Sequence, residues 1–389
     1  MSIHHIVLLA ARATHRWSIV AAVLLAAVVP AARAQGNLSQ QGLGYPPGQA
    51  STRALGAAGA LAEIDPMSQV NPTSLSFVGS TLLFFQIEPE FRSVTSGNTT
   101  DKTMTARYPL FLGAIPVGTR WVVAFSSATL LDRTWSTATE DVVPVDGQPV
   151  SSTLFNSSDG SINDLRLAGS FTPASWVRVG LGGHLMSGSD RVTLGRTFQD
   201  PAFGSFADTT ILGFDGGAVS GGVAFIAPRL AIATASFRKG TKFNADRGDT
   251  TLGSAHVPDR LGFSVAYIGI ANTQIAARAS WDKWSALNGL HSDETKAVDG
   301  WDTSIGADVA GPRLGRNALM LRAGVRWRTL PFEADGNKVQ ERSLSGGLGT
   351  TFGGGRVLTD VAIVRANRTA GISVRENAWT LSIGLGVRP

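Results

Sequence analysis

Histidine is the place to look for chemistry, because hydrolysis needs a base beside a nucleophile. The 389-residue chain has six, and only His184 falls where the sequence alternates like a strand. Ser187 and Ser189 follow it closely. The pairing is weak, since neither G-x-S-x-G nor H-E-x-x-H occurs. An inward-facing histidine bonded to its neighbours explains it better. Asp246, Asp249 and Asp259 lie in or beside one stretch and offer the oxygen chemistry a calcium ion takes. A solvated acidic loop explains them as well. No His/Asp cluster has metal-ligand spacing. The sequence points to no enzyme, no cofactor and no metal.

The charges on alternating segments say more. Glu88, Glu90, Arg92 and Arg107 share a polar face, as do Asp164, Arg166 and Arg178. Later come Arg278, Asp282, Asp302 and Asp308, then Arg322, Arg326 and Arg328. If those faces turn inward, the charges must be solvated or paired. A paired network holding an internal segment accounts for most of them. The sharper expectation is that an arginine meets the carboxylate of an amphipathic ligand, because guanidinium and carboxylate match bidentately. Arg322, Arg326 and Arg107 are the candidates, with Phe84 and Phe111 lining the apolar part of the pocket.

The elements that position these residues are strands. Leu319, Leu321, Ala323, Val325 and Trp327 oppose Met320, Arg322, Gly324, Arg326 and Arg328. Trp379 to Arg388 alternates in the same way. Six tight connections, such as Pro116–Thr119 and Gly353–Gly355, alternate strictly with seven longer polar stretches, near 96–101, 135–160, 191–210, 246–257, 287–298, 330–338 and 368–373. Thirteen connections make 14 strands, with segments near Leu154 and Phe203 able to extend or add strands. The expected fold is all-β, a transmembrane antiparallel barrel of about 14 strands with an N-terminal plug. Tight turns on one side and long loops on the other suit that architecture. No apolar helix is long enough to span, so closure of the sheet is the remaining way to satisfy the backbone in lipid. Eight of the tryptophans, Trp284 among them, are expected at strand ends or on outward faces, as interfacial girdles use them.

The N-terminus reads as a secretory signal over residues 1–34. Arg12 and Arg16 precede an apolar run from Ile19 to Val29, and Ala32-Arg33-Ala34 forms a cleavage site after Ala34. Without Arg12, Arg16 and Arg33 the formal charge falls from +5 to +2, and no basic run argues for nucleic acid. There is no cysteine. Residues 35–79 form the expected plug or hatch and 80–389 the barrel. Within the plug, Arg53 to Ile64 is Ala- and Gly-rich and weakly helical, and Asp65-Pro66 and Asn71-Pro72 break it.

Arg53-Ala54-Leu55-Gly56-Ala57-Ala58-Gly59-Ala60, followed by Asp65 and Asn71-Pro72, resembles the plug signature of the FadL-like outer-membrane transporters of long-chain fatty acids and hydrophobic compounds, with their PorV-like relatives. Arg260–Trp284 and Leu321–Gly354 resemble that family's strand–turn–strand units. The resemblance implies a 14-stranded barrel with a hatch that passes fatty acids or other small hydrophobic molecules passively across the outer membrane. It implies Arg53, Gly56, Gly59, Asp65, Asn71 and Pro72 as plug residues. It implies outer-membrane lipid and the barrel assembly machinery as partners. Two departures stand out. Thr73-Ser74-Leu75 replaces the usual Ala-Gly after Asn-Pro, and the chain ends in Pro389 rather than an aromatic residue. Pro89 and Pro109 each remove a ladder hydrogen bond and mark possible gaps in the wall. The alternative function is a non-transporting barrel that serves as a structural or secretion-associated partner.

Overall fold

The computed structural model describes residues 43–96, 99–145, 147–290, 296–315, 317–334, 336–371 and 374–389. The signal, its cleavage point and the first part of the 35–79 segment lie outside the described residues. A short helix α1 (Thr52–Gly56) and a 3-10 turn (Pro72–Phe77) precede the strands. These are β1 (Leu82–Ser96), β2 (Thr99–Val117), β3 (Trp121–Asp132), β4 (Trp135–Val145), β5 (Gln148–Ala174), β6 (Val177–Phe198), β7 (Phe206–Ala227) and β8 (Ala231–Arg247). There follow β9 (Thr250–His256), β10 (Arg260–Tyr267), β11 (Thr273–Asp282), β12 (Gly300–Leu314), β13 (Asn317–Ala334), β14 (Asn337–Phe352), β15 (Val357–Ala370) and β16 (Val374–Val387).

Neighbouring strands pair antiparallel, and the ring closes where β1 pairs with β16. Both β3 and β4 pair with β5, and both β9 and β10 pair with β8. Each of these couples is one wall strand interrupted, at Arg133-Thr134 and at Val257–Asp259. The closed barrel therefore has 14 strands, as the count of turns predicts. Among the described residues no helix is long and apolar enough to cross a membrane.

Side chains alternate across the wall with period two. Phe85, Phe125, Leu181, Phe263, Trp327 and Leu385 face outward and are exposed, a continuous apolar surface suited to lipid. Trp121 stacks on Phe171 at 4.3 Å and Trp176 on Phe225 at 6.3 Å, near the tight-turn end. Trp301, Trp327 and Trp379 form the outward set near the other end. Trp284 departs from the expectation. It is buried in a 3-10 turn between β11 and β12, packed with Leu287, because that connection folds back instead of projecting.

Two further corrections have physical causes. Residues 135–160 and 191–210, expected as loops, are mostly β4 and the outer ends of β5, β6 and β7; β5 alone runs 27 residues. Their Ser/Thr-rich sequence lacks a one-sided apolar face because these ends leave the apolar band. The second correction is Phe111, which faces outward at 41% exposure beside its partner Phe85. The β1–β2 register shifts between Gln86 and Glu88, opposite Leu110 and Arg107. Tyr108-Pro109 thus contributes one extra residue, and a one-residue bulge exchanges inside for outside. Phe84 does face inward and is 1% exposed.

Candidate functional site

The barrel encloses residues 45–78. The expected helix from Arg53 to Ile64 is only α1. Ser51 caps it, its hydroxyl accepting from the Ala54 amide at 3.2 Å. It stops because Ala58 and Gly59 take positive φ of 55° and 82°, and the Gly59 amide returns to the Ala54 carbonyl at 2.7 Å. Asp65 folds the segment on itself, accepting from the Ser51 hydroxyl and from Ser68 Oγ at 3.0 Å, with Arg53 3.5 Å away. Asn71 caps the Pro72 turn through the Thr73 amide at 3.0 Å, and its amide group donates to the Glu63 carbonyl at 3.1 Å. The residues of the sequence signature thus form the segment's internal clasps.

Glycines in the wall let this backbone approach. A Cβ on Gly347 would lie 2.8 Å from the Gly56 Cα, and one on Gly324 would lie 2.6 Å from the Ala57 carbonyl. Contacts run right round the ring. Thr52 meets Ser382 at 2.8 Å, the Thr52 amide donates to Gln86 at 2.7 Å, and Gln69 donates to the Asp164 carbonyl at 2.8 Å.

Three ionic groups hold the segment. In the first, Tyr45 sits among Arg92, Arg107, Arg328 and Arg368, whose guanidinium carbons are 4.3 to 5.8 Å from its ring centre. Glu90, Asp132, Glu341 and Glu376 balance those four cations. Glu341 accepts from Arg328 and from Arg368, each at 2.6 Å. In the second, Glu63 meets Arg260 at 2.9 Å and Arg278 at 3.6 Å, while Asp302 takes Arg326 bidentately at 2.7 Å twice. In the third, Asp308 bridges Arg53 at 3.0 Å and Arg322 at 3.3 Å, and Arg322 also meets Asp360 at 2.5 Å.

The sequence candidates are therefore inward but engaged: Arg107 with Glu90 and Asp132, Arg322 with Asp308 and Asp360, and Arg326 with Asp302. Arg178 is spent at a tight turn, donating to the Ala174 carbonyl at 2.6 Å. Tyr45 was missed because a single aromatic in a Pro/Gly-rich stretch carries no periodic signal.

His184 bonds neither Ser187 nor Ser189, which lie on the outer face. Its Nδ1 is 2.7 Å from Asp164 and its Nε2 is 2.8 Å from Ser220 Oγ. The order serine–histidine–aspartate is that of a nucleophilic triad, but the surroundings are not. Ser220 is 4% exposed and sits mid-ladder, paired to Gly182 and Arg238, so its backbone offers no free oxyanion donor. The trio ties β5, β6 and β7 together. Asp259 is likewise paired, accepting from Lys239 at 2.5 Å and from the Gly240 amide at 2.9 Å.

The wall has a breach. β2 pairs with β3 only from Val117↔Trp121 to Leu110↔Ala128. From Pro109 onward β2 keeps β1 alone, while β3 and β4 keep β5. Pro109 has no N–H to continue the ladder. Pro89 pairs opposite Ala106 beside the β1–β2 bulge, and on its other side Glu88 and Pro89 drop out of the β1–β16 ladder between Ile87↔Ile383 and Glu90↔Thr380, a two-residue interruption rather than a parting of strands. Inside the breach lies an apolar cluster that includes Leu75, Leu110, Leu112, Ala128 and Ala168. A cavity of about 470 Å³ lies between the inner segment and the tight-turn end, lined by Met67, Met320 and Leu358 with Arg53 and Arg322. Toward the loop end, beside Gln49, Trp284 and Arg326, the space shrinks to about 80 Å³.

No protein-family model matches the sequence, and neither does any curated protein. Solved structures do match. A FadL homologue of Pseudomonas aeruginosa superposes with a TM-score of 0.61 at 12% identity, over 89% of this chain and 99% of its own. The Ralstonia pickettii toluene transporter TbuX gives 0.57 at 13%, over 87% and 98%. The Pseudomonas putida toluene transporter TodX gives 0.55 at 14%, over 90% and 99%. These neighbours are transport proteins, not enzymes, and at such identities the likeness is one of fold: the chain is a FadL-like 14-stranded β-barrel.

Proposed function

We propose that the protein is a bacterial outer-membrane channel through which small hydrophobic or amphipathic molecules move down their gradient, long-chain fatty acids among them. The observation that carries this is the parting of β2 from β3 beside the apolar cluster at Leu110, Leu112 and Ala128. The ionic groups would repel an apolar solute from the rest of the lumen. An apolar breach in the wall gives it a way into the lipid that avoids them. Residues 35–79 then act as the hatch, the leader through Ala34 is removed on export, and the assembly machinery inserts the barrel. The fold shared with two toluene transporters supports a hydrophobic cargo.

Uptake of labelled dodecanoate, toluene and sucrose by cells with and without the protein tests this. Faster entry of the first two, with sucrose unchanged, is expected. Equal uptake of all three in both strains would leave the second reading, a barrel that binds a protein partner. The ion pairs that tie the inner segment to the wall, Arg53 to Asp308 and Glu63 to Arg260 and Arg278, favour that alternative, because each pair lost on moving the segment exposes a buried charge.

A further inference from the structure

Acids balance the arginines of the inner ionic groups; three arginines on the outward face have none. On β14, β15, β16 and β1 the outward positions are mostly apolar from the tight-turn end up to Phe91 and Trp379. At and just beyond that level stand Arg342, Arg365 and Arg375, all exposed. None of the three has an ion-pair partner among the described residues. The outward positions of these four strands hold no acid at all. Glu333, on β13, stands opposite Lys338 in the next ladder. Leu344 lies opposite Arg365, so Arg342 and Arg365 are diagonal neighbours, about 7–8 Å apart. Arg375 lies one rung beyond the row formed by Arg342, Asn367 and Asn377.

The surroundings give the patch two layers. The Arg365 guanidinium carbon lies 5.4 Å from the Trp379 ring centre, and Trp327 stands directly opposite Arg342. Asn367 donates to Asn377 at 2.9 Å between the arginines. Toward the tight-turn end, Leu344, Ile363 and Phe91 are exposed. Arginine stems lie along apolar surface while their heads reach the polar layer above it. Long loops mark the outer-leaflet side of such a barrel, so at this depth the polar layer is one of lipid headgroups. The opposite wall differs, because Lys239 on β8 is already engaged by Asp259 at 2.5 Å. We propose that Arg342, Arg365 and Arg375 form a site on the outer surface of the wall for the phosphate-bearing headgroup of an outer-leaflet glycolipid, with its acyl chains lying over Leu344, Ile363 and Phe91. Charge complementarity selects that partner. Guanidinium matches phosphate bidentately, and a zwitterionic lipid leaves the three charges unbalanced. The inference rests on the membrane placement of the barrel and not on passage of a solute.

The test is native mass spectrometry of the full detergent-solubilised protein, titrated with lipid A and with phosphatidylethanolamine, and with inorganic phosphate as competitor. The variants are the triple change Arg342→Gln, Arg365→Gln and Arg375→Gln, the same three arginines changed to lysine, and Arg120→Gln at the exposed tight-turn rim. Heat-modifiable gel mobility reports that each barrel is folded. Lipid A should bind the native protein about tenfold or more tightly than phosphatidylethanolamine. The triple glutamine variant should weaken lipid A about a hundredfold and leave phosphatidylethanolamine unchanged. The lysine variant should recover part of the loss, and Arg120→Gln should change nothing. Lipid A binding indifferent to the triple glutamine change, or matched by phosphatidylethanolamine, overturns the site. Displacement of lipid A by inorganic phosphate overturns the lipid in favour of a soluble-anion site.

Discussion

Tyr45 and Asp132 form a two-residue antiparallel bridge, each amide donating to the other's carbonyl at 2.8 Å. Asp132 ends β3 beyond the rung at which β2 has left it. The inner segment thus takes up an edge that the wall itself leaves unpaired, and the Tyr45 ring fills the middle of four arginines.

Tyr45→Ala should loosen that seal. Each guanidinium–ring contact contributes about 0.5–2 kcal/mol, and the lost aromatic volume brings the destabilisation to about 3 kcal/mol or more. Planar-bilayer recordings should show higher and noisier ion conductance than the native barrel. An unchanged trace would mean that the ring does not close the lumen.

Glu341→Gln should cost about 3–5 kcal/mol, because it removes the acidic partner of buried Arg328 and one of the three carboxylates around buried Arg368. Asp141→Asn, which breaks the exposed Arg196–Asp141 pair at 3.2 Å, should cost at most about 1 kcal/mol. Urea unfolding of the two variants side by side measures the difference. Similar midpoints would show that the inner network is hydrated.

Gly347→Leu should push α1 away from the wall, since even a Cβ there would crowd Gly56. The barrel should still form, because residue 347 keeps its place in the ladder between Arg322 and Ala362. Protease nicking within residues 45–78 should rise several-fold. No added cleavage would mean that neighbouring strands absorb the bulk.

Arg322→Ala and Arg326→Ala should lower stability without weakening dodecanoate. Both side chains are held by aspartates. Arg322→Ala strands Asp360, at a cost of about 3 kcal/mol or more, whereas Asp302 keeps Arg278 at 3.1 Å when Arg326 is lost, so that change should cost less. A tenfold loss of dodecanoate affinity in either variant would restore it as a ligand contact.

What was legible in the sequence was whatever repeats. Leu319–Arg328 and Trp379–Arg388 alternate apolar with polar, and the wall places them so. The order of turns yields the strand number. A single irregularity is silent by comparison: Tyr108-Pro109 inserts one residue, and Phe111 changes face. Pairing is silent too. Arg166, Arg322 and Arg326 look alike in one dimension, and only the structure shows Arg322 held by Asp360 and Arg326 by Asp302 while the Arg166 guanidinium lacks a hydrogen-bond partner. Beyond the apolar band, β4 is mostly exposed or half-buried and the covered positions of the long β5 end include Ser152 and Ser158, so no hydrophobic period announces a strand there.

The seam between β1 and β16 joins the first wall strand to the last. On its inner side Thr52 and Ser382, 330 residues apart in the chain, share a hydrogen bond. Contacts of such separation form late, since loop-closure entropy must be met before they reward it. Closing the ring and seating the inner segment are therefore tied together at this seam. Assembly is in this sense an enclosure.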